Sequence, residues 1–190
     1  MLRYFMPTRI IFGAHCITEE SHWLQSLGRK ALLVTGRLSA KENGSQNDII
    51  QALEKEGIAY EVFDEVESNP SVCTVYKGAA RAKEAGVDFI IGIGGGSPMD
   101  AAKAIALLAC NVVPEENLFS HTFEAGALPV VAVPTTAGTG SEVTQYSVLT
   151  NPVANTKMSI AHDAIFPTLA YCDARYMMNL SEKATIHTVI

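Results

Sequence analysis

Apolar residues along this chain gather into short continuous runs, and the stretches between them carry apolar positions at helical spacing. Thr8 to Phe12 predicts a first strand that closes at Gly13. Ile17 to Leu27 predicts a helix with an acidic first turn and Gly28 as its C-cap. Ala31 to Thr35 has the pattern of a strand buried on both faces. Ser45 predicts the cap of a helix reaching Glu56, with Asp48 in the capping-box position. A strand from Tyr60 to Phe63 follows, and the turn Asn69-Pro70-Ser71 opens a helix that runs to Ala85 and Gly86. Phe89 to Ile93 is a second buried strand. Beyond it, Ser97 as N-cap, Pro98 at the first helical position and Asp100 as capping-box acid predict a helix through Ala101 to Leu108. Asn111 to Ala127 is less regular, and Leu128 to Val133 returns to the strand pattern. Shorter strands are predicted at Tyr146 to Leu149, Lys157 to Ala161 and Leu169 to Cys172, and Ser181 to Ile190 begins a helix.

Strands alternating with helices over short loops predict an α/β fold. The sheet is doubly wound, mostly parallel and Rossmann-like, with helices on both faces. Ligands of such sheets lie outside the carboxyl ends of the strands, where strand order reverses. The unusual loops here follow Thr35, Phe63, Ile93 and Val133, so they are expected on one edge of the sheet.

The first of these loops in importance is Gly94-Gly95-Gly96, set between a strand and a helix start. Glycines admit a phosphate to the backbone, and the free N–H groups and dipole of the helix hold it. A turn without a ligand needs one glycine at most. The spacing is neither Gly-x-Gly-x-x-Gly, since the sixth position from Gly92 is Ser97, nor a P-loop. Pro134 to Thr144 carries Thr135, Thr136, Thr139, Ser141 and Thr144 with two glycines, a set of hydroxyls and bare N–H groups suited to a pyrophosphate or ribose edge. Alone it reads as a solvated loop with ordinary turns. Beside the glycine loop, the ligand reading is favoured. Gly36, Arg37, Ser39 and Lys41 follow the Ala31 strand, with no acid before Glu42. Dinucleotide sites commonly place an acid there for the ribose 2′-hydroxyl, whereas a small residue with basic and hydroxyl groups fits a 2′-phosphate. NADP is therefore favoured over NAD, against the alternative of an ordinary surface loop. From the residues alone, Lys157 reads as a surface lysine and Lys103 as one that snorkels along its helix. His121, His162 and His187 are singletons.

Composition narrows the classes. The 190 residues suffice for one α/β domain or somewhat more, and 48% hydrophobic against 18% charged residues describes a globular chain. A net charge of -6 argues against a nucleic-acid partner. No apolar run approaches the roughly 20 residues of a membrane span, and the N-terminus lacks a signal-peptide core. Cys16, Cys73, Cys110 and Cys172 lie far apart, which predicts reduced thiols and a cytoplasmic protein. No metal-ligand spacing is present.

The run from Gly94 to Lys103 and the run from Pro134 to Thr144 together resemble the iron-containing (group III) alcohol dehydrogenases. Met6-Pro7-Thr8 to Phe12-Gly13 and Glu67-Ser68-Asn69-Pro70-Ser71 resemble that family in the same order, so the likeness covers essentially the whole chain. It implies a nucleotide-binding α/β domain, here residues 1–180, followed by an all-helical domain holding iron or zinc, of which 181–190 would be the start. It implies hydride transfer between NAD(P) and an alcohol or aldehyde. Residue by residue, it implies Gly95, Gly96 and Ser97 on the pyrophosphate, with Pro98, Met99 and Asp100 beside them. Thr135, Thr136, Thr139 and Thr144 would line the cofactor cleft, Asn69 and Pro70 flank the adenosine end, and Lys157 reach the nicotinamide ribose. NAD-preferring members carry Asp where this chain has Gly36, in agreement with NADP.

The family holds its metal with an Asp and three His that begin shortly after the segment resembling Ser181 to Ile190. No residue here matches them. The helical metal domain is thus expected to be absent, the chain alone inactive, and no catalytic residue or metal ligand is assigned. Apolar surface near Ser181 to Ile190 would favour a homodimer or another partner. Glycerol dehydrogenases and dehydroquinate synthases share the domain plan, but the Gly138 to Thr144 stretch speaks for the alcohol dehydrogenase branch. A non-catalytic nucleotide-binding or interaction module is the alternative from another class.

Overall fold

The computed structural model describes residues 1, 4–151, 156–178, 180, 185 and 186. Six parallel strands form the main sheet: β1 (Arg9–Phe12), β2 (Lys30–Thr35), β3 (Ala59–Phe63), β4 (Phe89–Gly94), β5 (Val130–Pro134) and, last in the chain, Leu169–Cys172. A separate antiparallel pair, β6 (Tyr146–Asn151) and β7 (Thr156–Ala161), precedes that last strand, which is therefore β8. The main sheet runs β1-β8-β5-β4-β2-β3. From β2 the chain moves to β3 on one side, then returns to β4 on the other. The strand order reverses between β2 and β4, so their carboxyl ends flank a crevice.

Alternation within the central strands explains the unbroken apolar runs. Leu32, Val34 and Ile90 face one layer, and Ala31, Leu33, Phe89, Ile91 and Ile93 face the other. The first layer contains α4 (Val72–Ala85) and α5 (Gly96–Cys110), through Val75, Ala79, Ala82, Ala101 and Ile105. The second contains α3 (Ser45–Lys55), through Ile49, Ala52 and Leu53. Both faces of these central strands are covered, so their buried residues need to be apolar. α5 is buried over nearly its whole length because β4, α4 and the β6–β7 hairpin surround it. Gly92 lets it approach β4: a Cβ there would lie 2.8 Å from Ala102 Cβ and 3.1 Å from Met99 Cα.

Several local expectations are corrected. The helix predicted over Ile17 to Leu27 is two pieces, α1 (Cys16–Glu19) and a 3-10 turn Ser21–Ser26. The Glu20 carbonyl accepts the Tyr171 hydroxyl at 2.8 Å, and the Ser21 hydroxyl donates to Glu56, contacts that pull this junction out of a continuous ladder. A short helix, α2 (Ser39–Glu42), was not foreseen. Ser45 does not cap α3; Gly44 in the left-handed region does, and Asn43 Oδ1 takes the Ser45 N–H at 2.9 Å. Ser71 does cap α4, accepting the Thr74 N–H at 3.2 Å, and Gly86 ends it. α5 starts at Gly96, ahead of Ser97, with no side-chain cap. Pro98 still falls in the first turn, where its missing N–H is not needed. The helix predicted over Ser181 to Ile190 and the singleton His187 lie outside the described residues, apart from 185 and 186. Among the described residues, no helix is long and apolar enough to cross a membrane.

Candidate functional site

Two adjoining cavities occupy the carboxyl edge of the sheet. One, of about 370 Å³, is lined by Asn69, Pro70, Gly96, Ser97, Asp100, Thr139, Ser141, Thr144, Lys157 and residues of β6. The other, of about 340 Å³, is lined by Gly36, Ser39, Glu67, Gly95, Gly96, Ser97, Pro98, Thr136 and Thr139. Gly96, Ser97 and Thr139 belong to both, so the start of α5 separates two ends of one cleft. This is the crevice at the β2/β4 reversal.

The glycine loop lies directly against the threonine loop. A Cβ on Gly95 would lie 3.1 Å from Thr136 Oγ1, and one on Gly96 3.3 Å from Thr139 Cγ2. Thr136 Oγ1 is buried and has no hydrogen-bond partner among the described residues. An unpartnered hydroxyl, a glycine cradle and an uncapped helix N-terminus together suit a small anionic group. Ser97 Oγ accepts the Asn69 N–H at 3.1 Å, while Asn69 itself sits at φ 58. The β6–β7 hairpin closes the larger cavity. Thr150 donates its N–H to the Pro70 carbonyl at 2.8 Å and its hydroxyl to the Asn69 carbonyl at 3.1 Å.

Asp100 is engaged within the chain and not at the end of its own helix. Its carboxylate accepts the Ser141 hydroxyl at 2.6 Å and the Val148 N–H at 3.1 Å, so the capping-box role is replaced by a clamp on two distant segments. Burial raises its pKa, against the hydrogen bond from Ser141 and the charge of Lys103. Lys103 was expected to reach solvent and instead is fully buried. Its ammonium donates to Ser141 Oγ at 2.9 Å, the Tyr146 carbonyl at 2.9 Å and Thr144 Oγ1 at 3.4 Å, with Asp100 Oδ1 3.9 Å away. Burial lowers its pKa to about 8, opposed by the charges of Asp100 and Glu142.

Three predicted residues, Arg37, Met99 and Thr135, line neither cavity. Met99 is 1% exposed and packs on Ala132 and Ala170, and Thr135 is buried with its N–H donated to the Gly94 carbonyl at 2.9 Å. Arg37 is exposed beside the smaller cavity without lining it, and Lys41 is paired with Asp64 at 2.8 Å. Ser141, one of the hydroxyls of the Pro134 to Thr144 loop, lines the larger cavity, whereas Glu67 and the β6 residues were not foreseen. Among the described residues, no group of His, Cys, Asp and Glu could hold a metal ion.

A family model described as iron-containing alcohol dehydrogenase matches residues 7–174. The chain belongs to this family. It is 37% identical over 185 residues to the long-chain primary alcohol dehydrogenase AdhA of Thermoanaerobacter ethanolicus, covering 94% of this chain and 46% of that protein. It is 35% identical to the NADH-dependent butanol dehydrogenase B of Clostridium acetobutylicum, over 96% of this chain and 47% of the other. With the NADPH-dependent butanol dehydrogenase of Clostridium saccharobutylicum it shares 34% identity, over 99% of this chain and 49% of the other. A crystal structure of an iron-containing alcohol dehydrogenase from Thermotoga maritima superposes with a TM-score of 0.93 at 42% identity, over 99% of this chain and 52% of that one. The chain thus spans about half the length of the curated relatives it matches.

Proposed function

We propose that the cleft binds a nicotinamide dinucleotide, and that the protein transfers hydride between NAD(P)(H) and an alcohol or aldehyde, with metal dependence as its family name suggests. The observation that carries the reading is the glycine cradle of Gly95 and Gly96 at the uncapped start of α5, facing the unpartnered Thr136 hydroxyl. There a pyrophosphate would meet backbone N–H groups, a helix dipole and a free donor. Gly95, Gly96, Ser97 and Thr136 would hold it. Thr139 and Thr144 would wall the cleft, Asn69 and Pro70 would border one end, and Lys157 would offer a cation to a ribose. Pro98 shapes the turn, while Met99 and Thr135 contribute backbone and support. When bound, the dinucleotide supplies the hydride acceptor or donor; the chain's residues bind and orient it and keep it against one wall.

NADP is the preferred form in this reading. Gly36 leaves room at the end of β2, and Arg37 and Ser39 lie exposed beside it. A relative named as NADPH-dependent and another named as NADH-dependent are similarly close to this chain, so the preference rests on these residues. Since no metal-holding group exists among the described residues, we further propose that these 190 residues alone bind dinucleotide without oxidising an alcohol. They form one nucleotide-binding domain to about residue 180 in this reading, in a cytoplasmic protein able to dimerise.

Calorimetric titration with NADP and NAD tests the reading. Saturable binding, tighter for NADP, is expected, and Gly36→Asp should reverse the preference by about tenfold, the effect of setting a carboxylate against a 2′-phosphate. A folded chain that binds neither overturns it.

A further inference from the structure

The loop after β2 is basic in sequence, but folding brings an acid to it. Gly36 and Ser39 line the smaller cavity on either side of the exposed Arg37. Lys41 follows in the same short helix as Ser39. β3 lies beside β2 in parallel register, with Val34 opposite Phe63, so the residue after Phe63 emerges next to this loop. That residue is Asp64. Its Oδ2 accepts the Lys41 ammonium at 2.8 Å, and the charge of Arg37 also acts on it. One carboxylate thus answers both cations of the loop. The hydrogen bond from Lys41 holds that carboxyl below the usual carboxylate range, so it is charged at neutral pH.

The other acids between β3 and α4 are placed differently. Glu67 lines the smaller cavity, but its carboxylate accepts the Ser71 N–H at 2.8 Å and the Thr74 hydroxyl at 2.9 Å, which fixes it on the start of α4. Glu65 borders a separate groove with Lys77 and Arg81. The Lys41–Asp64 pair is open to solvent, its side chains 47% and 42% exposed. An exposed pair of this kind contributes little and opens readily when a stronger partner arrives. A phosphate monoester is such a partner: it carries about −1.5 to −2 charge and three acceptor oxygens, against one charge and two oxygens on a carboxylate. NAD(H) has an uncharged 2′-hydroxyl at the same place and offers the lysine nothing in exchange.

We propose that Asp64 is a specificity-determining residue for the dinucleotide: it is an exchangeable counter-ion that keeps Lys41 when the ribose carries a 2′-hydroxyl and yields it to a 2′-phosphate. The inference rests on the dinucleotide reading above. Asp64 competes with the 2′-phosphate, so it narrows the preference for NADP that Gly36, Arg37 and Ser39 create.

The test is a fluorescence titration of NADPH and NADH with wild type, Asp64→Asn and Lys41→Gln, read as the ratio of the two affinities, with thermal melts of each variant. Asp64→Asn is expected to bind NADPH about threefold to fivefold more tightly, the worth of an exposed ion pair, and to leave NADH affinity and Tm close to wild type. Lys41→Gln should weaken NADPH by about fivefold and spare NADH. In wild type, the Asp64 carboxyl followed by NMR should titrate at higher pH with NADPH bound than with NADH bound, because only NADPH takes its lysine; this readout needs no variant to fold. A folded Asp64→Asn that gains no NADPH affinity relative to NADH, a Lys41→Gln that leaves the ratio unchanged, or an Asp64 carboxyl that titrates alike with both dinucleotides overturns the inference alone. A folded wild type that binds neither dinucleotide overturns the dinucleotide reading and this inference with it.

Discussion

Ser97 Oγ accepts the backbone N–H of Asn69 at 3.1 Å, joining the first turn of α5 to the turn that opens α4. The two residues are 28 positions apart, and each borders the larger cavity. One hydroxyl therefore helps to hold the left-handed conformation of Asn69 at the mouth of the cleft.

Ser97→Ala removes that acceptor at a partly exposed position. The expected loss of stability is small, about 1 kcal/mol or less. Dinucleotide affinity should fall more clearly, by about tenfold, because the residue both borders the ligand space and fixes Asn69. Paired thermal melts and titrations check the contrast; equal binding by the variant would contradict it.

Two glycines only a few residues apart should respond differently. Gly92→Ala sets a methyl 2.8 Å from Ala102 Cβ in the tight β4–α5 contact, and overpacking there should cost about 1–3 kcal/mol, read as a lower Tm. Gly96→Val instead meets the Thr139 side chain at the cleft, with Thr139 Cγ2 3.3 Å from the first added carbon. It should keep most of the stability and lose most of the dinucleotide binding.

Asp173 is fully buried at the end of β8. Burial alone would raise its carboxyl, but hydrogen bonds from the Arg175 side chain and from the N–H groups of Arg175 and His15 outweigh it and hold the group below the usual carboxylate range. A carboxyl lowered by folding contributes stability above its unfolded value of about 3.9, and that contribution is lost as pH falls through the lower folded value. Acid unfolding monitored by circular dichroism should show this loss below about pH 4. Asp173→Asn should remove that pH dependence and lower stability by about 3 kcal/mol, since it leaves Arg175 without its main partner.

The sheet's central strands were legible from the chain itself. β2, β4 and β5 are apolar on every residue that matters, and helices on both faces demand that pattern wherever such a strand sits. α4 was legible for a local reason: Ser71 and Gly86 lie within a turn of the groups they satisfy. The glycine and threonine loops were legible as ligand-binding candidates because their composition is costly for a plain turn.

Tertiary structure decided the fate of the acids and of the buried lysine. Asp48 and Asp100 each had a local use as capping-box acids. Folding brought stronger partners: Arg175 and Tyr176 to Asp48 from 127 and 128 residues away, and Ser141 and Val148 to Asp100. The Tyr171 hydroxyl similarly reached the Glu20 carbonyl across 151 residues at the break in the predicted first helix. Lys103 looked like a charge that would reach solvent, until the β6–β7 hairpin covered its helix and Ser141, Thr144 and the Tyr146 carbonyl supplied the acceptors. Sequence by itself determined where the backbone must be apolar or free of side chains, because those demands act within a few residues. Which polar atoms meet depends on segments far apart in the chain, and in a desolvated interior the partner that arrives on folding can outweigh the neighbour already present.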